Sequence, residues 1–443
     1  MKGEDFYRGL FRIINEHLMG MKFLSVVSNR DHSLTRFANS QIHQNVSEKE
    51  TKITVLATED NKIALVSSND LTLSGMKLLR EKLESMLKQA APLEYEFSLP
   101  VPSMGYPLEN VSESVLKSSA EDRAKVFDDI LRSAGDDVKV FGYVSTEVYE
   151  KSVISSGGMF TYEATSSAGF NLVAIKDDGS GYTSGASSSV ENLGYSEKVL
   201  RAVEFAKKSV NPVEIDPGNY TVILGPEAVA ELFFYFTYVA TNGYAHEMKM
   251  SPSNRYLNQK IGPDDLSVYD DPEHPGQIPW FYDIVGKKRE RFPVVENGVF
   301  KNIVYSHGSS LRFSKKATGH TVSLENLDFA IPVNLVINGG ETPVEEMISS
   351  TEKGVYVNRF HYMNIVDPFE ALLTGMTRDG TFLIEKGKLT RAIKNMRFNV
   401  KFFDFTKNIE AISNETETVS GSYFPIVAPY MKANNFTFSS KTA

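Results

Sequence analysis

The sequence of 443 residues contains no cysteine, and this absence excludes several classes of protein. Without thiols the chain forms no disulfide framework. It also supplies no thiolate to a zinc ribbon, an iron–sulfur cluster or a cysteine-dependent active site. Because proteins of reducing compartments do without disulfides, we expect a cytoplasmic location.

Long hydrophobic runs and an excess of positive charge are missing as well. The most apolar stretch, residues 229–239, has about half the length of a membrane-spanning helix. The N-terminus, Met1 to Asp5, carries acidic groups where a signal peptide carries basic ones. Since 47 Lys and Arg stand against 56 Asp and Glu, a formal charge of −9, neither a membrane nor a nucleic acid is an expected partner.

What is present is the composition of an ordinary globular protein, with 41% hydrophobic and 23% charged residues. A chain of this length usually forms two or three domains. We predict an α+β fold that consists of an N-terminal α+β domain, residues 1–215, and a mostly β C-terminal domain, residues 216–443.

The N-terminal domain is predicted to contain two units, residues 1–98 and 112–210, which share the order helix, three strands, helix. In the first unit, apolar residues recur at helical spacing from Phe6 to Leu18 and from Met76 to Met86. Alternating segments between them predict the strands. A proline-rich link from Leu99 to Pro107 leads to the second unit.

The second unit is bounded by two predicted helices. One begins with the capping-box pattern Ser119 to Asp122 and ends at Gly135, and the other covers Ser196 to Lys208. The predicted strands are residues 138–144, 159–165 and 170–175. The glycine- and serine-rich segment 179–189 lacks the Gly-Lys-Ser/Thr ending of a phosphate-binding loop, and we interpret it as a flexible loop.

The C-terminal domain is predicted to be a sandwich or distorted barrel of short strands. The predicted strands are residues 220–224, 292–295, 299–305, 335–337, 354–357, 381–385 and 397–405. A helix is predicted from Pro226 to Ala240, since proline is favoured at the first helical position. This helix is apolar on all sides, so we expect it to be buried in the core or against another subunit.

His246-Glu247 is the first candidate for a metal site. A zinc-binding H-E-x-x-H helix places two imidazoles one turn apart, but Met250 and Ser251 occupy the positions where a second histidine would stand. More distant ligands would come from a scattered set of residues: Asp270, Asp271, His274, His307 and His320. We therefore predict no catalytic residue, no cofactor-binding residue and no metal ligand, and we expect these histidines at the surface.

Three further polar patterns are interpreted as solvated surface. The basic run Lys287 to Arg291 is typical of a solvated loop, although it would also suit an anion. The acidic pairs Asp264-Asp265 and Glu345-Glu346 are adjacent in sequence, and neighbours in a strand point apart. No G-x-S-x-G pattern indicates a serine nucleophile.

Short motifs follow one another in an order typical of one family. They are Arg36-Phe37-Ala38-Asn39, Leu224-Gly225-Pro226-Glu227, Val268-Tyr269-Asp270-Asp271-Pro272, Val295-Glu296-Asn297-Gly298, Ala317-Thr318-Gly319-His320, Gly354-Val355-Tyr356-Val357 and Phe382-Leu383-Ile384-Glu385-Lys386-Gly387-Lys388-Leu389. The series resembles the TldD/PmbA family, also called TldD/TldE, of cytosolic zinc metallopeptidases and their partner subunits.

The resemblance implies where a catalytic member holds its metal. In TldD-type members an H-E-x-x-x-H motif lies in the helix that follows Gly225-Pro226, and a distant cysteine completes the site. The corresponding positions here are Phe234, Tyr235 and Val239. Phenylalanine and valine offer no lone pair to a cation, and a phenol is a poor general base at neutral pH.

The resemblance therefore implies a TldE/PmbA-like, non-catalytic subunit that holds no cofactor, with zinc only in a TldD-type partner. That partner would form a heterodimer with this chain, or a second copy would form a homodimer. An unfolded peptide would enter a shared cavity, where an exposed strand could supply main-chain hydrogen bonds. The family has also been described as modulating DNA gyrase, but the charge of this chain gives no support for direct DNA contact.

Two alternatives stay open. In the first, the chain is a zinc metallopeptidase active by itself, through a relocated site that includes His246 and Glu247. In the second, it is a stand-alone peptide-binding scaffold.

Overall fold

The computed structural model describes residues 1–101 and 105–441, so residues 102–104 of the proline-rich link lie outside the described residues. The elements of the N-terminal half are α1 (Glu4–His17), β1 (Lys22–Ala38), β2 (Gln41–Glu59), β3 (Lys62–Ser68), α2 (Leu73–Gln89), β4 (Leu108–Asn110), α3 (Glu113–Leu116), α4 (Ala120–Ala134), β5 (Lys139–Ser155), β6 (Phe160–Lys176), β7 (Gly179–Ser187) and α5 (Tyr195–Lys208).

One seven-stranded sheet runs through this half in the order β3-β2-β1-β5-β6-β4, with β7 paired to β6. Strands β1 and β5 are antiparallel, with Leu24 opposite Ser155 and Phe37 opposite Gly142. The two predicted units therefore share a continuous sheet, joined by the long pairing of β1 with β5. The capping box of Ser119 and Asp122 begins α4 as predicted.

The prediction of a loop at residues 179–189 was wrong, because Gly179–Ser187 is strand β7, antiparallel to β6. Its glycines permit a close approach of helix α5. A Cβ atom on Gly181 would lie 2.0 Å from the carbonyl oxygen of Ala202, and one on Gly179 would lie 2.4 Å from that of Ala206. Glycine here allows a helix to pack on a strand.

The elements of the C-terminal half are β8 (Gly218–Leu224), α6 (Pro226–Ala240), α7 (Gly243–Glu247), α8 (Ser253–Tyr256), β9 (Val268–Asp270), β10 (Phe292–Glu296), β11 (Val299–Phe300), α9 (His307–Arg312), β12 (Leu335–Ile337), α10 (Val344–Ser349), β13 (Lys353–Asp367), β14 (Leu372–Glu385), β15 (Lys388–Ala392), β16 (Met396–Lys401), α11 (Phe402–Lys407), β17 (Ile409–Val419) and β18 (Ile426–Lys441). Among the described residues, no helix is both long and apolar enough to cross a membrane.

These strands form an eleven-stranded mixed sheet that closes on itself. The path β18-β16-β14-β13-β8 returns to β18, which pairs with β8 as well as β16. The ring is a distorted barrel, one of the two architectures expected from the sequence, and the α+β class is confirmed. Strand β12 pairs in parallel with the start of β18 at Val427, and β9, β10 and β11 continue the sheet from β12.

Two predicted strands are shorter than the sequence pattern indicated. The strand expected at residues 299–305 covers only Val299–Phe300. The strand expected at 397–405 ends at Lys401, where helix α11 begins. A strand would place neighbouring side chains on opposite faces, whereas Phe402 and Phe403 are both buried in the same core.

Helix α6 has the predicted bounds and packs against β13 and β18. Phe236 is fully buried in its centre, with its ring stacked on that of Phe402 at 4.4 Å between centroids. The edges of Phe300 and Phe403 contact the same ring. Within this chain the exception is Tyr238, which is 46% exposed.

Charged side chains with little solvent contact connect the two halves. Arg201 on α5 donates two hydrogen bonds to Glu417 on β17, at 2.5 and 2.8 Å. Lys151 on β5 forms an ion pair with Glu163 on β6 and donates to the carbonyl oxygen of Tyr282 at 2.8 Å. Because pairs with little solvent contact are costly to separate, these contacts fix the orientation of one half against the other.

Replacement of Phe236 by alanine is expected to lower the free energy of unfolding by about 3–5 kcal/mol, because it leaves a cavity among the packed rings of Phe300, Phe402 and Phe403. The measurement is urea unfolding followed by circular dichroism. Tyr238→Ala, two residues away on the exposed face, is the matched control and should cost about 1 kcal/mol or less. Equal losses in the two variants would contradict this assignment of the core.

Candidate functional site

The centre of helix α6 is closed by aromatic packing. Phe234 is 6% exposed, and its ring stacks on Tyr423 at 4.9 Å and contacts the edge of Phe424 at 5.6 Å. Tyr235 donates its hydroxyl to the carbonyl oxygen of Met363 at 2.7 Å. This part of the helix is therefore filled by rings.

A zinc ion does not fit the three positions that correspond to the ligands of catalytic members. Phe234 and Val239 have no donor atom, and both are buried in the core around α6. Burial, together with the nearby carboxylate of Glu231, raises the pKa of Tyr235 to about 12, so its phenol stays protonated. These three side chains therefore support no metal-dependent catalytic step at this place.

The other metal candidates are engaged in ordinary hydrogen bonds. Nδ1 of His246 lies 2.9 Å from Oγ of Ser253, and Glu247 accepts the hydroxyl of Tyr305 at 2.6 Å and pairs with Lys315 at 3.2 Å. Within residues 1–101 and 105–441, no three His, Asp or Glu side chains converge to hold a metal ion.

The expectation that the remaining histidines lie at the surface was wrong for two of them. Nε2 of His307 is 2.7 Å from the carbonyl oxygen of Ser98, and the ring is largely buried. His320 is 1% exposed and bonds Asp270. His274 is partly buried and accepts the backbone N–H of Gly276 at 3.1 Å. These rings hold loops together.

Asp270 is the centre of a buried polar cluster. Its carboxylate accepts the backbone N–H of Asn334 at 2.7 Å, and it lies 2.8 Å from Nε2 of His320 and 3.1 Å from Nη1 of Arg289. Burial alone would raise the pKa of Asp270, but the hydrogen bond from His320 and the positive charges lower it to about 2. Arg289 is thus buried. The interpretation of the run Lys287 to Arg291 as a solvated loop was therefore wrong for Arg289.

The acidic pairs are exposed, as expected. Asp264 and Asp265 lie in a loop, and Glu345 and Glu346 lie in the first turn of α10.

An acidic cavity of about 250 Å³ lies beside the first half of α6. Glu227 and Glu231, one turn apart on the helix, line it. Glu227 accepts the backbone N–H of Ser184 at 2.8 Å, and Glu231 accepts the hydroxyl of Ser422 at 2.9 Å. Arg359 and His361 form the opposite wall, and Arg359 is paired with Asp379.

The electrostatics of this acidic cavity favour neutral groups. Burial raises the pKa of Glu227 and of Glu231. Burial and the charges of Arg378 and Arg359 lower the pKa of His361. A carboxyl group that keeps its proton donates as well as accepts a hydrogen bond, and it has the chemistry of a general acid.

A second, smaller cavity of about 150 Å³ lies beyond the ring of Tyr423. Lys151, Trp280 and Arg289 line it together with Tyr423 and Phe424. The two cavities are neighbours along one segment, because residues 421 and 422 line the acidic cavity and the next two residues line this one.

The sequence patterns did not predict the two cavities that these charged residues line. A signal for the first was present, since Glu227 and Glu231 are two acids at i, i+4 on an otherwise apolar helix, and an acid on such a helix calls for a polar surrounding. The basic run Lys287 to Arg291 drew attention to Arg289, but no local signal marked its burial, because its partners Asp270 and His320 are distant in sequence.

Comparison with known families places the chain among the metallopeptidase folds. The family model described as the PmbA/TldA metallopeptidase C-terminal domain matches residues 217–440, and the central-domain model matches residues 110–210. The first match covers half of the chain. The chain belongs to the TldD/PmbA metallopeptidase family.

Curated relatives agree with this assignment. A metalloprotease of Methanocaldococcus jannaschii is 23% identical over 321 residues, which are 70% of this chain and 66% of the relative. A zinc metalloprotease TldD homolog of Saccharolobus solfataricus is 23% identical over 219 residues, 46% of either chain. The matches thus span less than two thirds of the relatives' length.

Solved structures share the whole fold. TldE from Thermococcus kodakarensis superposes with a TM-score of 0.89 at 19% identity, over 98% of this chain and 99% of that one. A Thermotoga maritima protein described as a candidate modulator of a DNA gyrase gives 0.85 at 18% identity, over 98% and 100%. At these identities the likeness concerns the fold, which is that of TldE.

The triple variant Phe234→His, Tyr235→Glu, Val239→His is expected to be less stable than the wild type and to bind no stoichiometric zinc. Each new polar group enters an apolar site without a partner, at a cost of about 1–3 kcal/mol. Thermal unfolding and metal analysis check this. Tyr235→Phe, which removes only the hydroxyl bonded to Met363, is the control and should cost about 1 kcal/mol. A stable triple variant that holds zinc would contradict the expectation.

Replacement of Glu227 by glutamine is expected to weaken the pH dependence of stability. Burial raises the folded-state pKa above its ordinary value of 4.5, so the folded protein binds this proton more tightly than the unfolded chain. The wild-type free energy of unfolding therefore falls as pH rises from 4.5 through the folded-state pKa, and glutamine removes this decline.

Urea unfolding across this pH range measures the effect. Oε1 of the new glutamine can still accept the N–H of Ser184, so the fold should survive. Glu16→Gln, which removes an exposed carboxylate, is the control. If the profiles of wild type and Glu227→Gln run parallel, the burial of this carboxyl has no consequence for stability.

Proposed function

We propose that this chain is a non-catalytic, TldE-like subunit of a cytoplasmic metallopeptidase complex that processes unfolded peptides. The observation that carries the proposal is the identity of three side chains on α6. The family resemblance assigns Phe234, Tyr235 and Val239 to the positions where catalytic members carry H-E-x-x-x-H, and these three side chains supply no metal ligand. Membership of the family makes peptides the natural class of substrate.

The absence of these metal ligands also leads us to propose a partner subunit. Hydrolysis by this family needs a metal-activated water, and a chain without the ligands must receive that metal from another subunit. We propose a TldD-type chain as that partner, in a heterodimer. A second copy of this chain would supply no such metal.

An extended peptide has a suitable main-chain surface on the N-terminal sheet. Strand β3 pairs with β2 only from Ile53 to Glu59, and no other described strand covers the outer edge of β2 between Gln41 and Lys52. The free N–H and C=O groups of that edge match those of an unfolded chain, whereas a folded substrate has its own groups already paired.

The proposal predicts that the purified chain alone holds far less than one zinc ion and cleaves no peptide. Addition of a TldD-type partner should produce both zinc and cleavage, measured by metal analysis and by hydrolysis of a fluorogenic unfolded peptide. About one tightly held zinc per chain, lost with cleavage in His246→Ala and kept in the control His43→Ala at an exposed site, would establish the relocated site instead.

Affinity purification from the native cell tests the partner. Recovery of a TldD-type chain in equal amount supports the proposal. A homodimer that binds peptides but does not hydrolyse them, with no TldD-type chain present, would favour the stand-alone scaffold.

A further inference from the structure

Arg289 is a buried cation with an unused hydrogen-bond donor. Its side chain is 1% exposed, and Nη1 donates to Asp270 at 3.1 Å. Nε, by contrast, has no hydrogen-bond partner among the described residues. A charged donor shut off from water and left unpaired is strongly unfavourable, so such an atom indicates a missing acceptor.

The residue that carries this donor lines a cavity. Arg289 lines the cavity of about 150 Å³ that lies beyond Tyr423. The mouth is aromatic, since Trp280 is 38% exposed and Tyr423 is 78% exposed. Lys151 lines the cavity as well, and its Nζ lies 5.3 Å from the centre of the Trp280 ring. An acceptor that enters between these rings therefore comes to lie next to the side chain of Arg289.

The protein's own carboxylates are occupied. Glu163 pairs with Lys151 at 2.6 Å and accepts the backbone N–H groups of Phe281 and Tyr282. Asp270 divides its oxygens among Arg289, His320 and a backbone N–H. The Nε side of the guanidinium is thus left for an external group.

A carboxylate is the acceptor that suits this geometry. The Nε–H and the adjacent Nη–H of an arginine form a parallel fork that matches the two oxygens of a carboxylate. A volume of about 150 Å³ admits a carboxylate together with a small residue, and the rings at the mouth offer an apolar surface to the chain that follows.

We propose that this cavity captures the C-terminal carboxylate of a peptide, with the fork of Arg289 as its anchor. The inference rests on the proposed function in one respect, that the ligand is a peptide. It places the end of the substrate next to the position of Phe234, whose ring is stacked on Tyr423 at the cavity wall. The acidic cavity lies on the other side of the same segment.

The chain contains a single tryptophan, and Trp280 lines the cavity, so its fluorescence reports binding directly. The probes are acetyl-trialanine with a free carboxylate and acetyl-trialanine with a C-terminal amide, titrated into the purified full chain. We expect a saturable change with the acid and an affinity at least about tenfold weaker for the amide, which lacks the charge.

Arg289→Lys keeps a positive charge beside Asp270 but removes the fork, and it should abolish the preference for the acid. Arg312→Lys is the matched control. Nε of Arg312 is also unpartnered, but this residue does not line the cavity. Thermal unfolding verifies that both variants fold, and the comparison of acid with amide on the wild type tests the proposal without any variant.

Four results would overturn the proposal: equal affinity for acid and amide, no fluorescence change up to about 10 mM peptide, equal loss in the two variants, or binding of acetate or inorganic phosphate as tight as that of the peptide. The last would mark a general anion site. These titrations involve neither zinc nor hydrolysis. A negative result would therefore overturn the carboxylate site without bearing on the subunit assignment, which metal analysis, peptide cleavage and affinity purification test.

Discussion

The packing of helix α6 against the barrel is the constraint on which the rest of the structure depends. Phe236 and its neighbours anchor the helix among rings contributed by β11 and α11, and these contacts set the orientation of the helix about its axis. One face then presents Glu227 and Glu231 to the acidic cavity, and the centre presents Phe234 to Tyr423. The fixed orientation of the helix thus determines which side chains face each cavity, and at its centre the helix presents the ring of Phe234.

Buried charges are the second organising feature, and they occur where irregular segments meet. Asp270 ties together the end of β9, the segment of Arg289 and the turn of His320. Lys151 and Glu163 tie the N-terminal sheet to the chain around Tyr282. Such pairs contribute little net stability, because desolvation offsets the attraction, but removal of one member leaves an uncompensated charge. They therefore fix the positions of loops that lack the regular backbone hydrogen bonds of helices and strands.

The parts of this fold that follow from local pattern could be predicted. The bounds of α6 were correct, because a proline and an apolar run of fixed length are local features. Strand β7 was missed, since the role of Gly181 depends on α5, which follows later in the chain. The burial of Arg289 was missed for the same reason, as only the tertiary structure brings Asp270 and His320 to it. The motifs indicated the family, whereas the cavities could not be predicted because they form only in the folded chain.

The cavity around Trp280 has walls from both halves of the chain, and this has a consequence for how the protein can be divided. Lys151 comes from the N-terminal sheet, whereas Arg289 and Tyr423 come from the C-terminal half. Neither half expressed as a separate fragment would contain a complete pocket. Duplication, fusion or exchange of one half between relatives would therefore alter ligand selectivity even if each half kept its own core intact.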